Sequence, residues 1–501
     1  MSPQPPTSAA RVELDDVQGL VRFAYKHHTE ACFLLLRVKA PDAARAWLAQ
    51  VPVTSAVRLD AAPPTVLQVA FTSAGLRALG VAADIVESFS IEFITGMTSD
   101  ASRARRLGDV GASDPGRWQW GAGQGIPHVL VLLYALPGRL AEWQRMVEAQ
   151  CEAGFERMAC LPTSDMKGVE PFGFVDGISQ PELDWGRKRP VRDQVQLANA
   201  NLSCLGEFLF GYPNDYGLYT PRPLLDPQRD ARAMLPRAED VADKADLGRN
   251  GSYLVMRQLR QDVHGFWQTL DRLAVGNPGI RQRLAEATVG RSLQGEPLAG
   301  LTREAIAGNA QPDLNAFTYR NDPQGLRCPL GAHIRRTNPR NADLPPGGPG
   351  IVSRLIRMLG FDAEALAQDL VASTRFHRLV RRGREYGAAV PLAQALSGPS
   401  TDADPGLHFI CLAANIMRQF EFVQSAWVMG TKFNGLPDES DPLLGNRLPG
   451  PAGTRTDGFS IPQPDGPDRR LAGLPQFVTV LGGAYFFLPG IRALRYLATV
   501  R

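Results

Sequence analysis

HVLVLLYALPGRLAEWQRMVEAQCEAG, residues His128 to Gly154, opens as an unbroken apolar run. After the turn at Pro137-Gly138 it becomes a segment whose apolar residues recur at helical spacing. The run is too short for a buried helix and rich in β-formers, so it reads as a strand covered on both faces; the second piece reads as an amphipathic helix. LHFICLAANIMRQFEFVQSAWV, Leu407 to Val428, repeats the same order near the end of the chain. Working outward, ACFLLLRV (Ala31–Val38) and VLQVAFT (Val66–Thr72) are strands, each followed by a helix. PDAARAWLAQ starts its helix at Pro41, and SAGLRALG carries Ser73 as N-cap and Gly80 as terminator. GSYLVMRQLRQ (Gly251–Gln261) and FVTVLGGAYFFL near Phe477 are strands, and HGFWQTLDRLAV is a helix. The pattern is an α+β chain with helices laid on a sheet, and His128–Gly154 and Leu407–Val428 read as matching pieces of two related halves.

The rest of the composition narrows the function. A balance of 54 basic against 51 acidic residues, net +3, with no basic tract and no zinc-finger spacing, points away from nucleic acid. Cys32, Cys151, Cys160, Cys204, Cys328 and Cys411 are scattered without any CxxC pair, as reduced and buried thiols are. The first residues, MSPQPPTSAARVELDDVQ, are polar and proline-rich, and FVTVLGGAYFFLPGI is too short and glycine-broken to span a bilayer. The expectation is a cytoplasmic protein with no membrane segment. The length favours two domains, placed at 1–225 and 226–501, or one duplicated fold.

Common chemistries are missing from the motifs. There is no HExxH, no GxSxG, and GAGQG near Gly121 lacks the lysine of a phosphate loop. Three stretches are unusual. EPFGFVDGISQPELDW (Glu170–Trp185) sets Asp176 among apolar residues and glycines, either as a functional acid or as a carboxylate closing an Asx turn. RCPLGAHIRRTNPR (Arg327–Arg340) offers His333, a possible axial ligand for haem iron, with Arg335, Arg336 and Arg340 beside it for propionates. The alternative is a partly buried histidine next to a solvated basic loop. FHRLVRRGREYG (Phe376–Gly387) carries Arg381, which alone reads as one of a surface cluster.

Together the three stretches resemble the dye-decolorizing peroxidases, haem enzymes similar in fold to the chlorite dismutases. Gly173-Phe174-Val175-Asp176-Gly177, with the ISQP after it, is similar to the family's GxxDG motif; CPLGAHIRRTNPR resembles the segment of its proximal histidine, and LVRRGREYG that of its distal arginine. GEFLFGYPNDYG resembles a loop of the longer members, and the likeness runs from about Asp16 to Tyr496. One departure is Glu385, where relatives have proline before the tyrosine. The resemblance implies two ferredoxin-like halves forming a dimeric α+β barrel, with one haem b per chain seated mainly in the second half. It implies His333 as axial ligand, Asp176 as acid and base, Arg381 as the group that stabilises charge, Arg340 on a propionate, and Leu407 and Phe409 lining the distal pocket. Glu421 is the expected partner of the proximal imidazole. The implied reaction reduces hydrogen peroxide and oxidises dyes, phenols or other aromatic donors by one-electron steps through a ferryl intermediate. The alternative is a haem-handling protein with little turnover. Trp118, Trp120, Trp185, Trp267, Trp427, Tyr216 and Tyr219 are the aromatics available to pass electrons to bulky donors.

Overall fold

Glu30–Val38 becomes a strand because its apolar residues lack helical period and both of its sides find apolar cover. Cys32, Leu34 and Leu36 pack with Trp47 and Val147 on one side, while Phe33 and Leu35 pack with Phe208 and Tyr212 on the other. A computed structural model describes residues 11–187, 202–301, 313–319, 321–340, 374–399, 404–448 and 455–500. Nine strands in it share one sheet. In chain order these are β1 (Glu30–Val38), β2 (Thr65–Phe71), β3 (Val129–Ala135), β4 (Phe155–Pro162), β5 (Ser252–Gln261), β6 (Val380–Arg381), β7 (Arg384–Tyr386), β8 (Gly406–Ala413) and β9 (Val478–Leu488). The order across the sheet is β6-β8-β5-β9-β2-β3-β1-β4, with β7 also paired to β8.

The two halves draw the same figure. In the first, β1, helix α1 (Pro41–Gln50), β2, β3, helix α2 (Leu140–Cys151) and β4 form a sheet in the order β4-β1-β3-β2. In the second, β5, helix α3 (Val263–Leu273), the β6–β7 pair, β8, a helical segment (Met417–Val428) and β9 give the order β9-β5-β8-β6. Both are ferredoxin-like, and β3 and β8 hold the same place in each, as their sequences had implied. The halves join where β9 meets β2, with Phe487 opposite Phe71, both fully buried. Two further helices, α4 (Pro278–Val289) and α5 (His333–Thr337), lie in the insertion between α3 and β6.

Some local readings change. The helix over Ser73–Ala78 is capped by Thr72, whose hydroxyl accepts the Gly75 N–H at 3.0 Å, not by Ser73. The helix expected from NIMRQFEFVQSAWV is wound wide: the N–H groups of Glu421 and Met429 donate five residues back, to Ile416 and Gln424. Such turns are rare and gather at functional sites. Strands β4, β6 and β7 had no signal, since FERMACLP is an edge strand with exposed Glu156 and Arg157, and the other two are very short. The loop read at Ala342–Gly350 lies outside the described residues. No helix among the described residues is long and apolar enough to cross a membrane.

Phe487→Ala empties a fully buried site at the junction of the halves. A loss of about 3–5 kcal/mol is expected. Chemical denaturation followed by far-UV circular dichroism reads it, and an unchanged midpoint would show that the junction contributes little.

Candidate active site

The Glu170–Pro181 loop is built to present one carboxylate. Gly173 and Gly177 have φ of +103° and +75°, left-handed conformations that favour glycine, so both motif glycines are needed for the turn. The Glu170 carboxylate accepts the N–H groups of Phe172 (3.1 Å) and Phe174 (3.0 Å) and the Gln261 amide (2.7 Å). Burial pushes the Glu170 carboxyl up to about 7. The loop is then clamped to β6: the Gln180 amide accepts the Arg381 N–H at 3.0 Å and donates to the Arg381 carbonyl at 3.2 Å. The ISQP that follows the glycines is therefore a strand-like splice between loop and sheet.

That splice brings Arg381 Nη1 to 3.0 Å from Asp176 Oδ1, while Arg381 Nη2 donates to the Ser179 carbonyl at 3.2 Å. Both side chains lie deep in the protein, and the 31% that each exposes faces a cavity. Burial would raise the Asp176 carboxyl, but the Arg381 charge and the Gly177 N–H outweigh it and hold Asp176 below its ordinary value. Asp176 is an ionised carboxylate beside the Arg381 guanidinium.

His333 opens α5 and lines the same cavity. Its Nδ1 lies 2.9 Å from Asp441 Oδ2. Asp441 is wholly buried; burial alone would raise it, but His333 and the Leu444 N–H hold it below the ordinary range. An ionised carboxylate can only accept, so Nδ1 donates to Asp441 and Nε2 is the ring nitrogen that Asp441 leaves unused. Arg335 and Arg336 fasten α5 from behind. Arg336 donates to the carbonyls of Gly331, Trp427, Gly430 and Glu439, and Arg335 to Asp322 and the Cys328 carbonyl. Both are fully buried, so the solvated basic loop is not what forms there.

The cavity encloses about 1510 Å³ of empty space when the solvent at its mouth is included. Leu407 and Phe409 line it, as expected, because they project from one face of β8. Phe420, Val423 and Val428 of the wide helix, with Leu443, Leu444 and Val478, add apolar wall. Arg291 and Arg378 are the other arginines there, and burial with Arg381 close by pulls Arg291 down to about 10.

One expectation is corrected. Glu421 does not meet His333; it accepts the Tyr485 hydroxyl at 2.8 Å and faces Arg103 at 3.4 Å, because its position on the wide helix turns it into the core. Asp441 takes its place, from a loop 108 residues beyond the histidine. Arg340 donates to the Phe317 carbonyl at 3.1 Å and to Asn315 at 2.6 Å, with its guanidinium over the Phe317 ring and near Arg291 and Arg378. Asn315 in turn donates to the Gln180 carbonyl at 2.9 Å, so Arg340 also braces the clamp. Of the aromatics, Trp120 and Trp267 are buried with their N–H groups bonded to Gln258 and the Phe172 carbonyl, while Tyr216 is exposed and stacked on Phe376. Sequence reasoning missed Glu170, Arg291, Arg378 and Asp441. Only Glu170 had a signal, its place at the head of the glycine motif.

No family model matches the chain. Among curated proteins it is 30% identical to the multifunctional dye peroxidase DyP2 of Amycolatopsis, over 86% of this chain and 82% of that one. It is 27% identical to the dye-decolorizing peroxidase msp1 of Mycetinis scorodonius, over 99% and 89%. Among solved structures it superposes on a fungal DyP-type peroxidase from Auricularia auricula-judae with TM-score 0.72 at 25% identity, covering 98% of this chain and all of that one. A dye-decolorizing peroxidase in complex with 2,6-dimethoxyphenol matches in fold, with TM-score 0.72 at 24% identity over 97% and 100%. The fold and site define a peroxidase of the two-halved α+β class, and the chain belongs to the dye-decolorizing peroxidase family. The family is one of haem enzymes. The cavity suits such a group, with an imidazole nitrogen that Asp441 does not use, an apolar slot and cationic side chains at its walls.

In Arg381→Leu the cation is gone and burial remains, so the Asp176 carboxyl should move from below its ordinary 3.8 to above it. Difference infrared spectroscopy of the protonated carboxyl, with Asp176→Asn as the blank, checks this. A band that titrates at the same pH in both backgrounds would refute the pairing.

Proposed function

We propose that the protein is a haem peroxidase that reduces hydrogen peroxide and oxidises aromatic donors, phenols and dyes among them. One haem b per chain would be held by His333 Nε2, with its macrocycle against Leu407, Phe409 and Phe420. Arg291 and Arg378, which line the cavity, and Arg340 close to them are the cations that would pair with its propionates. The observation that carries the reading is one cavity lined at once by an imidazole backed by Asp441 and by the Asp176–Arg381 pair. Bound there, the haem supplies the iron on which peroxide is cleaved.

The protein's own groups do the rest. The His333–Asp441 hydrogen bond makes the imidazole a stronger donor and fixes its ring orientation. Asp176, ionised at neutral pH, accepts a proton from peroxide at Oδ and returns it to the oxygen that leaves as water. Arg381 holds Asp176 in place and offsets negative charge growing on that leaving oxygen. Apolar walls exclude bulk water, which strengthens both effects. A relative has been solved in complex with 2,6-dimethoxyphenol, and a phenol of that kind is the donor to try first.

Protein produced with sufficient haem should show a Soret band that one equivalent of peroxide alters and 2,6-dimethoxyphenol restores. A haem-loaded protein indifferent to peroxide would overturn the peroxidase reading. His333→Ala should be recovered with little haem, and full occupancy would remove His333 as ligand. Asp176→Asn should slow the peroxide step by roughly 10²–10⁴-fold, the usual worth of a positioned acid–base group. Stopped-flow absorbance measures it, and a rate within a few-fold of the parent would take Asp176 out of the mechanism.

A further inference from the structure

Away from the cavity, Cys32 of β1 and Cys160 of β4 meet under one side chain of α2. The Gln144 amide donates to Cys160 Sγ at 3.5 Å, and its carbonyl oxygen accepts from Cys32 Sγ at 3.4 Å. Both sulfurs therefore meet the same Gln144 amide. In the β1–β4 register Leu34 faces Cys160 and Cys32 faces Pro162, so the cysteines are diagonal neighbours on one face of the sheet. They differ in access. Cys32 is 2% exposed, whereas Cys160 is partly exposed on β4, which ends the sheet. They differ in charge as well. The hydrogen bond from Cys32 lowers the Cys160 thiol, with Arg157 helping and burial and Glu148 opposing, while Cys32 is raised. Glu148 and Arg157 pair at 2.8 Å, and Gln144 donates to Glu148 at 3.1 Å, which completes the ring of polar groups around the two sulfurs.

A partly exposed thiol that is lowered by its surroundings, beside a buried second thiol, is the arrangement of a redox-sensitive cysteine and its resolving partner. We propose that Cys32 and Cys160 are a peroxide-modified dithiol, in which Cys160 is oxidised first and Cys32 then closes a disulfide to it. The Cys160 thiolate attacks one peroxide oxygen and the O–O bond breaks; the second oxygen leaves as hydroxide and takes up a proton. Cys160 is now a sulfenic acid. The Cys32 sulfur, losing its proton, attacks the Cys160 sulfur and expels hydroxide, which is protonated to a second water. One peroxide gains the two electrons that the two thiols lose. A diagonal pair starts at about 7–8 Å between Cα atoms and a disulfide prefers about 4.4–6.8 Å, so β4 must draw in. As the last strand of the sheet it has no neighbour on its outer side among the described residues to prevent this. The bond should be somewhat strained and easily reduced. None of this passes through the haem cavity.

The test is a non-reducing peptide map of the full-length protein before and after hydrogen peroxide. The expected product is the Cys32 peptide joined to the Cys160 peptide, with loss of two hydrogen masses, reversed by dithiothreitol. Cys32→Ser should stop at a Cys160 sulfenic acid that a cyclic dione probe captures. Cys160→Ser should leave Cys32 reduced. The proposal is overturned if both cysteines alkylate undiminished after peroxide, if Cys160 joins Cys151 instead, or if Cys160 passes to sulfinic acid while Cys32 still alkylates. The parent map needs no substitution, so it decides the matter even where a variant fails to fold.

Discussion

Asp176 and Arg381 meet at 3.0 Å inside the protein, where either charge alone would be costly to hold. Each makes the other tolerable, and the pair leaves a carboxylate ionised at the wall of an apolar cavity. The remaining architecture around the site keeps that contact in place. Gln180 locks the loop to β6, Glu170 gathers the loop's own N–H groups, and Arg340 reaches the clamp through Asn315. Arg340 thus bears on Asp176 through two intermediates, Asn315 and Gln180.

The histidine side of the cavity follows the same logic with different parts. A five-residue helix has little stability of its own, so α5 is held by what its arginines reach. Arg336 spends its donors on four backbone carbonyls from three separate segments, which makes those segments converge behind His333. Asp441 arrives with them, its other oxygen bonded to the N–H groups of Leu443 and Leu444 at 2.9 Å. The imidazole is thus oriented by a carboxylate that is itself oriented. The wide helix gives the third wall, and its unusual winding sends Phe420, Val423 and Val428 to the cavity while Glu421 turns to Tyr485.

A sheet shared by two halves explains how such a site stays rigid. β5, β8 and β9 are paired along most of their length, so Leu407 and Phe409 project from a surface that cannot shift one residue without misplacing every side chain. The first half contributes through the segment that follows β4, which crosses to the second half and carries Asp176 to Arg381.

The sequence by itself determined the long strands and their helices, because apolar period is a local property and survives without tertiary context. It also put forward Asp176, His333 and Arg381 as candidates, because the three stretches that hold them, taken together, resemble the motifs of one family, although each alone had an ordinary structural reading. Tertiary structure alone decided which acid backs the histidine and which arginines stand at the cavity. Asp441 lies in an acid-rich loop with no period, 108 residues from its partner, and nothing local distinguishes it from Glu421. Hydrogen-bond partners across the chain are set by how the backbone closes, and a side chain's chemistry is common to every place it could go. For the same reason six scattered cysteines looked alike until β1 and β4 laid two of them side by side.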